Sequence, residues 1–452
     1  MKNKKVTIVI GRGFGDEGKG LAVNYFCDKN IKTIVIKHNG GAQAGHTVDL
    51  SEDTTKGERF VFHQLSSGSF NGADTLWADT YYPDLYKLGE EARDFLELVS
   101  SLNAEQTNNK SPINAENSLP RIYATMQTCC VIIYDVILNM AIETLRGDKR
   151  HGSCGMGINE ADLRTKAGYG LTILSVKNGR TEDLAAGLLK IRDEYYPKRL
   201  KELGINDFSE LPGEYAELFT DDNVAINAAE QMIENSALVE VKDVLSLLDE
   251  YDHIVFETGQ GLLLDAECER YAPHVTASRT GLYNPLRFLR KYDLVSGKNG
   301  DESGNMSEPK LSVEAVYVTR SYVTRHGAGP LPHVISRESL GNVEIDRTNE
   351  INPWQGEIRY AYHESVDEML APIREDLSED ALNKNGLKVS LFITHLNETG
   401  GMLKTYEGDV PAVDLLESQQ DILESVYLSY SPVTDSENVR IISRGWDDVL
   451  ED

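Results

Sequence analysis

The sequence predicts an α/β fold built on a large, mainly parallel central sheet with covering helices. Three observations predict it. Short β-branched runs recur along the chain, amphipathic segments stand between them, and unusual polar clusters fall just after the runs. In an open α/β sheet ligands gather outside the carboxyl ends of the strands, so clusters placed this way converge on one crevice.

The runs lie at residues 6–10, 33–36, 254–256, 313–318, 389–394 and 439–442 and read as buried strands. Residues 90–102, 181–203 and 222–238 carry the apolar spacing of covering helices. The polar, turn-rich stretches at 103–120 and 296–309 read as inserted loops. Neither looks like a linker, because related motifs fall on both sides of each. The expected organisation is therefore a single domain over residues 1–452.

Composition excludes several classes. Lys and Arg number 45 against 73 Asp and Glu, a formal net charge of −28, which opposes non-specific binding to nucleic acid or an anionic membrane. No apolar run approaches the roughly 20 residues that a spanning helix needs. The start, Met1-Lys-Asn-Lys-Lys, leads straight into the first strand without a secretory apolar region, so a cytoplasmic protein is expected. Cys27, Cys129, Cys130, Cys154 and Cys268 are odd in number and lack zinc-type spacing, as reduced thiols do.

The first strand ends in Gly11-Arg-Gly13-Phe-Gly15-Asp16-Glu17-Gly18-Lys19-Gly20, followed by a helical pattern. Gly13, Gly18 and Lys19 have the spacing of a phosphate-binding loop, which predicts a P-loop-like nucleotide site at the strand carboxyl ends. Gly20 stands where an ordinary P-loop NTPase carries a magnesium-binding Ser or Thr. A glycine turn after a strand also serves tight packing. Asp16 and Glu17 shift the balance, because carboxylates inside an anion-attracting loop have little structural purpose, whereas Asp16 can ligate magnesium or act as a base.

The run Gly15-Asp16-Glu17-Gly18-Lys19-Gly20 is identical to the GDEGKG signature of adenylosuccinate synthetases, and four further motifs follow in that family's order. His38-Asn39-Gly40-Gly41-Ala42-Gln43-Ala44-Gly45-His46-Thr47-Val48 resembles GGxNAGHTV, with Gln43 for Asn. Glu257-Thr-Gly-Gln260-Gly-Leu-Leu-Leu-Asp265 resembles EGAQGxxLD, and His274-Val-Thr276-Ala-Ser278-Arg279-Thr280 resembles YVTSSNT. Val323-Thr324-Arg325-His-Gly327-Ala-Gly329-Pro330-Leu-Pro332 follows TRVGxGPFPT. Elsewhere the chain departs from the pattern. The arginine-rich aspartate loop is reduced to Arg347 and Arg359 around Thr348 and Asn349. Thr394-His395-Leu396-Asn397 stands for TKLD, and Ser443-Arg444-Gly445-Trp446 for STGP. Gly152-Ser153-Cys154-Gly155-Met156-Gly157 replaces threonines and an arginine.

The resemblance implies a C–N ligase that joins L-aspartate to carbon 6 of a purine nucleoside monophosphate, driven by GTP or ATP with Mg2+, in a homodimer. It implies Asp16, His46 and Gln260 as the catalytic residues and Asp16 with Gly45 as the magnesium ligands. Gly15, Glu17, Gly18, Lys19, Gly20, Gly45, Thr47, Asn397, Ser443 and Trp446 fall to the triphosphate, with His395 and Trp446 stacking on its base. Gln43, Ser153, Cys154, Thr276 and Arg325 fall to the monophosphate; Thr348, Asn349 and Arg359 fall to aspartate. Asp16 favours IMP as acceptor, giving adenylosuccinate, because a carboxylate facing N1 leaves little room for a 2-amino group. The altered aspartate loop and Asn397 favour an alternative, a 2-aminoadenylosuccinate synthetase acting on GMP or dGMP with ATP. A non-catalytic nucleotide-binding regulatory protein is the alternative of another class.

Overall fold

The computed structural model describes residues 4–53, 57–106, 118–147, 153–292, 294, 311–341, 343, 357–379, 387–433 and 437–444. Each expected strand forms and extends past its β-branched run: Lys4–Gly11, Thr33–Lys37, His253–Gly261, Leu311–Arg320, Leu387–Thr394 and Val439–Ser443. Four short strands, Asp74–Trp77, Ile122–Ala124, Val239–Val241 and Ser425–Ser429, complete a ten-stranded sheet. From one edge the order is Val439–Ser443, Ser425–Ser429, Leu387–Thr394, Leu311–Arg320, Lys4–Gly11, His253–Gly261, Thr33–Lys37, Asp74–Trp77, Ile122–Ala124 and Val239–Val241.

All pairings are parallel except the one between Ser425–Ser429 and Val439–Ser443. The expectation of a buried run at 439–442 is corrected here, since Arg440 and Ile441 are exposed. The connection from Ser429 to Val439 is too short for a parallel crossover, so the chain turns back as an antiparallel edge.

Strand side chains alternate between two covered faces, which is why the runs are apolar throughout. Val6, Ile8 and Ile10 pack with Ile254, Phe256 and Leu286, while Val9 and Val35 pack on the other face with Ala22, Val23 and Phe26. The helix expected at 90–102 lies within Leu85–Gln106, and that at 222–238 is Asp222–Ser236. The stretch 181–203 divides into Thr181–Glu194 and Tyr196–Glu202, because Pro197 has no N–H and its ring displaces the preceding turn.

These helices and Ile133–Arg146 enclose a separate core holding Phe95, Leu138, Leu188 and Phe219. Within this lobe Arg164 and Asp135 form a fully buried ion pair at 2.8 Å. Tyr196 donates to Asp135 at 2.6 Å, and Arg164 also donates to the carbonyls of Cys130 (2.9 Å) and Tyr169 (2.6 Å). No described helix is long and apolar enough to cross a membrane.

Candidate active site

The glycine loop leaves the carboxyl end of the central Lys4–Gly11 strand and enters the helix Lys19–Phe26 through Gly18, which caps it at φ 89°. A Cβ at Gly20 would lie 2.6 Å from the Thr47 carbonyl, so the Ser or Thr of an ordinary P-loop has no room there. Glu17 folds back into the loop and accepts from the backbone N–H groups of Gly13 and Gly15, both at 2.8 Å. Lys19 is buried beside it, donating to Glu17 at 2.7 Å and to the Gly15 carbonyl. Burial alone would push the Glu17 carboxyl up, but Lys19 and the Gly15 N–H bring it below its ordinary value. This corrects the expectation that a carboxylate in this loop has little structural purpose: Glu17 ties the loop's own N–H groups to Lys19.

Asp16 is half-buried, and its carboxylate takes no hydrogen bond from the described residues. Burial pushes its carboxyl up, against the pull of Arg320. Arg320 Nε donates to the Asp16 carbonyl at 2.5 Å, and Thr394 Oγ1 donates to the Glu17 carbonyl at 2.8 Å. The ends of two neighbouring strands therefore pin the loop. Sequence reading missed Arg320, whose only signal is a cation at the end of a buried strand.

Gly45 is exposed at the mouth of the second loop, and His46 begins the strand His46–Asp49, whose residue Thr47 closes against Gly20. The His46 ring turns inward, donating from Nδ1 to Glu257 at 2.6 Å. Glu257 also meets Lys37 at 3.3 Å and accepts from the Ser67 hydroxyl. Burial opposes its charge, yet Lys37 and His46 hold its carboxyl far below the usual range. Burial lowers the His46 pKa, with Glu257 opposing. His46 Nε2 is left buried with no partner among the described residues.

A cavity of about 1080 Å³ opens beside these loops. Gly15, Asp16, Gln43, Gly45, Gln260, Thr276 and Arg325 line it near the loop, and Ser153 and Cys154 line its far side. Ser153 is bound to Asn139 at 3.0 Å, and burial pushes the Cys154 thiol up to about 11, leaving it protonated at neutral pH. Gln43 Oε1 is buried without a described partner. Thr276 holds its turn by donating its backbone N–H to the Leu264 carbonyl at 2.7 Å.

Both arginines assigned to ligands also have partners within the protein. Arg325 lines the cavity, lies between Phe14 and Tyr271 and donates to the carbonyls of Pro330 (2.8 Å) and His274 (3.1 Å). Burial first, and Arg359 second, lower its pKa to about 10. Arg359 sits opposite it where the strands Val323–His326 and Ile358–Ala361 pair antiparallel in a small sheet apart from the central one, and it donates to Gly327 (2.5 Å) and Gly329 (2.9 Å). Both guanidinium groups hold the glycine turn.

Asn397 is exposed just beyond the carboxyl end of Leu387–Thr394, the end at which Thr394 packs on Gly18. Ser443 is not brought there. It pairs with Ser425 at the opposite end of the sheet, because the last strand runs antiparallel. The run beside Asn397 is Ser429-Tyr430-Ser431-Pro432, where the Ser429 carbonyl accepts from the Leu396 N–H at 3.2 Å. Its Ser-x-x-Pro spacing is that of STGP, a signal that was legible and assigned one strand too late. Gly152, Arg347, Thr348, Asn349, Gly445 and Trp446 lie outside the described residues, as do 107–117 of the first expected loop and the whole of the second, 296–309.

No cluster of three or more His, Cys, Asp or Glu side chains suited to a metal stands among the described residues. Magnesium does not require one, since it commonly takes one or two carboxylates and completes its shell with substrate phosphates and water. The uncommitted Asp16 carboxylate and the exposed Gly45 backbone fit that demand.

The fold and motifs agree with known proteins. The chain aligns with the adenylosuccinate synthetase of Buchnera aphidicola subsp. Schizaphis graminum at 26% identity over 328 residues, 72% of this chain and 64% of that protein. The enzyme of Wigglesworthia glossinidia brevipalpis is 29% identical over 360 residues, 79% of this chain and 71% of the relative. The chain thus spans a little under two thirds of the length of the Buchnera relative. Among solved structures, the fully ligated adenylosuccinate synthetase from Plasmodium falciparum superposes with TM-score 0.62 at 15% identity, covering 96% of this chain and 99% of the other. The succinoaminodeoxyadenylate synthetase of cyanophage S-2L, bound to dGMP and to dATP as an energy donor, superposes with TM-score 0.53 at 13% identity, covering 97% and 95%. The adenylosuccinate synthetase family model matches residues 8–356, well over half of the sequence, and the chain belongs to that family.

Proposed function

We propose that this chain joins L-aspartate to carbon 6 of a purine nucleoside monophosphate, with IMP as acceptor and adenylosuccinate as product. The observation that carries the reading is the uncommitted Asp16 carboxylate, which shares one cavity with Gln260 at the end of the glycine loop. Oxide is a poor leaving group, so carbon 6 must be activated. Asp16 takes the N1 proton, and O6 attacks the γ-phosphorus of GTP or ATP, releasing the nucleoside diphosphate. The aspartate amine then adds at carbon 6, and phosphate departs with the former O6. Gln260 donates to O6 as charge gathers there, and the orphaned His46 Nε2 serves the transferring phosphoryl group.

Magnesium, held by Asp16 and the Gly45 carbonyl, would neutralise phosphate charge beside the loop. Gly15, Glu17, Gly18, Lys19, Gly20 and Thr47 form the triphosphate side, with Asn397 and the Ser429–Pro432 run at the base. Gln43, Ser153, Cys154, Thr276 and Arg325 form the monophosphate side. Thr348, Asn349 and Arg359 form the aspartate side. We also propose that the protein acts as one domain in a cytoplasmic homodimer.

A second reading is favoured by Asn397. An amide offers one acceptor and one donor, which suits adenine, whereas the family's Asp suits the two donors of guanine. Together with the cyanophage relative's dGMP and dATP, this supports GMP or dGMP as acceptor and ATP as donor. Asp16 favours IMP, and Asp16→Ser tests it: faster dGMP turnover than in wild type identifies the carboxylate as the gate. The reaction itself is tested with IMP carrying oxygen-18 at O6. The label should appear in inorganic phosphate in step with aspartate consumption; aspartate-dependent product with unlabelled phosphate would contradict the phosphoryl route.

A further inference from the structure

Within the proposed ligase reading, the glycine loop has an anchor far along the chain. Arg12 stands where the loop leaves the sheet. Its own N–H still donates to the Val318 carbonyl of the neighbouring strand at 2.8 Å, and the next N–H, that of Gly13, belongs to Glu17. Gly11 and Gly13 flank it, and glycine backbones hold no conformation by themselves. The Arg12 side chain is buried and reaches the helix Val366–Glu379, 356 residues away. There Nη2 donates to the Glu368 carbonyl at 2.9 Å and Nε to the Met369 carbonyl at 2.5 Å.

The Glu368 carbonyl is open because of Pro372. A helix carbonyl accepts from the N–H four residues on, and for Glu368 that residue is Pro372, inside the helix. Proline has no N–H, and its ring crowds the same carbonyl. Met369, Leu370 and Ile373 seat the helix in the core shared with Ile8 and Ile10 of the first strand, so the freed carbonyl has a fixed place. Burial lowers the Arg12 pKa to about 10, which leaves it charged at neutral pH.

We infer that Arg12 is a positioning residue for the nucleoside triphosphate, clamped by the carbonyl that Pro372 leaves free, so that the glycine loop is set before the phosphates arrive. Two arginines then hold the loop from outside, Arg12 where it begins and Arg320 at the Asp16 carbonyl. Binding groups need to be held within about 0.5 Å of the productive geometry, and a loop rich in glycine cannot supply that alone.

The test gives the carbonyl back to its helix. Pro372→Ala restores an N–H at 372 and removes the ring, drawing the Glu368 carbonyl towards the helix axis. Wild type, Pro372→Ala, Arg12→Gln and the double variant are compared by urea denaturation and by calorimetric titration with ATP and with GTP in the presence of magnesium. Pro372→Ala should be at least as stable as wild type, because the helix gains a bond. It should nevertheless bind triphosphate about tenfold more weakly, the scale of one lost hydrogen bond to a charged group. Arg12→Gln should weaken binding as much, and the double variant no more than Arg12→Gln alone, since the two residues act as one unit. A contact that only supports the fold would move stability and affinity together. In turnover, KM for the triphosphate should rise while KM for aspartate stays near wild type. Pro372→Ala protein with wild-type affinity for both triphosphates overturns the clamp and leaves the ligase reading standing. Wild-type protein that binds triphosphate but forms no aspartate adduct overturns the ligase reading, and the tenfold loss in Pro372→Ala still decides the clamp. Wild-type protein that binds neither triphosphate overturns both.

Discussion

Arg164–Asp135 in the helical lobe and His46–Glu257 beside the glycine loop are both buried acid–base pairs, and they are finished differently. Around Arg164 the surplus donors end on carbonyls, and Asp135 takes a further bond from Tyr196. Around Glu257 the acid is equally well served, by Lys37, Ser67 and His46, yet His46 keeps one buried nitrogen with no described partner. A buried polar atom left unmade costs about 1–3 kcal/mol, so a chain retains it where something else completes it. The saturated pair is a strut, and the unsaturated pair is half of an interaction.

The largest effect is expected from His46→Ala. Turnover should fall roughly 10²- to 10³-fold, the scale for losing one group aimed at developing charge, with a small loss of stability because Glu257 keeps Lys37 and Ser67. Unchanged turnover would make His46 a second strut. Arg164→Met should do the opposite. It strands Asp135 in the core and should cost about 3–5 kcal/mol in urea denaturation, with turnover per folded molecule preserved. A fully stable Arg164→Met protein would remove the contrast.

Glu257→Gln should change stability in a pH-dependent way. The folded carboxyl lies far below its ordinary value, so its contribution is present above the unfolded pKa of about 4.3 and is lost as pH falls through the folded one. At neutral pH the variant should be less stable than wild type, with Lys37 unpaired. The gap should narrow as denaturation is repeated at progressively lower pH beneath that unfolded value. A gap that is constant with pH would mean that Glu257 is not the buried anion. The smallest effect is expected at exposed Asn397, where Asn397→Asp should shift donor preference towards GTP by about tenfold, read as the ratio of kcat/KM values. No shift would remove Asn397 from the base-reading set.

How legible each part was depends on how local its cause is. Buried strands announce themselves by β-branched runs because both faces must be apolar; Ile122–Ala124 and Val239–Val241 are three residues each and carry no readable period. The glycine loop, Asp16 and Gln260 were visible because their chemistry sits within one short segment. Arg320 and Asn39 were not, since Arg320 meets Asp16 across 304 residues and Asn39 meets Gln260 across 221. The partners that orient Arg325 were not legible either, since one is the Pro330 carbonyl of its own turn and the other the His274 carbonyl 51 residues away. Ser443 misled because an antiparallel edge reverses which end of a strand faces the site.

Aspartate-dependent chemistry at a purine 6-position is tested most directly by an end-point assay read by mass spectrometry. Purified protein is incubated with magnesium and aspartate across a matrix of IMP, GMP and dGMP against ATP and GTP. Adenylosuccinate is expected from IMP, formed together with one nucleoside diphosphate and one phosphate. Product from dGMP with none from IMP would transfer the claim to the guanine acceptor, and no aspartate adduct anywhere in the matrix would contradict it and leave a nucleotide-binding regulatory protein.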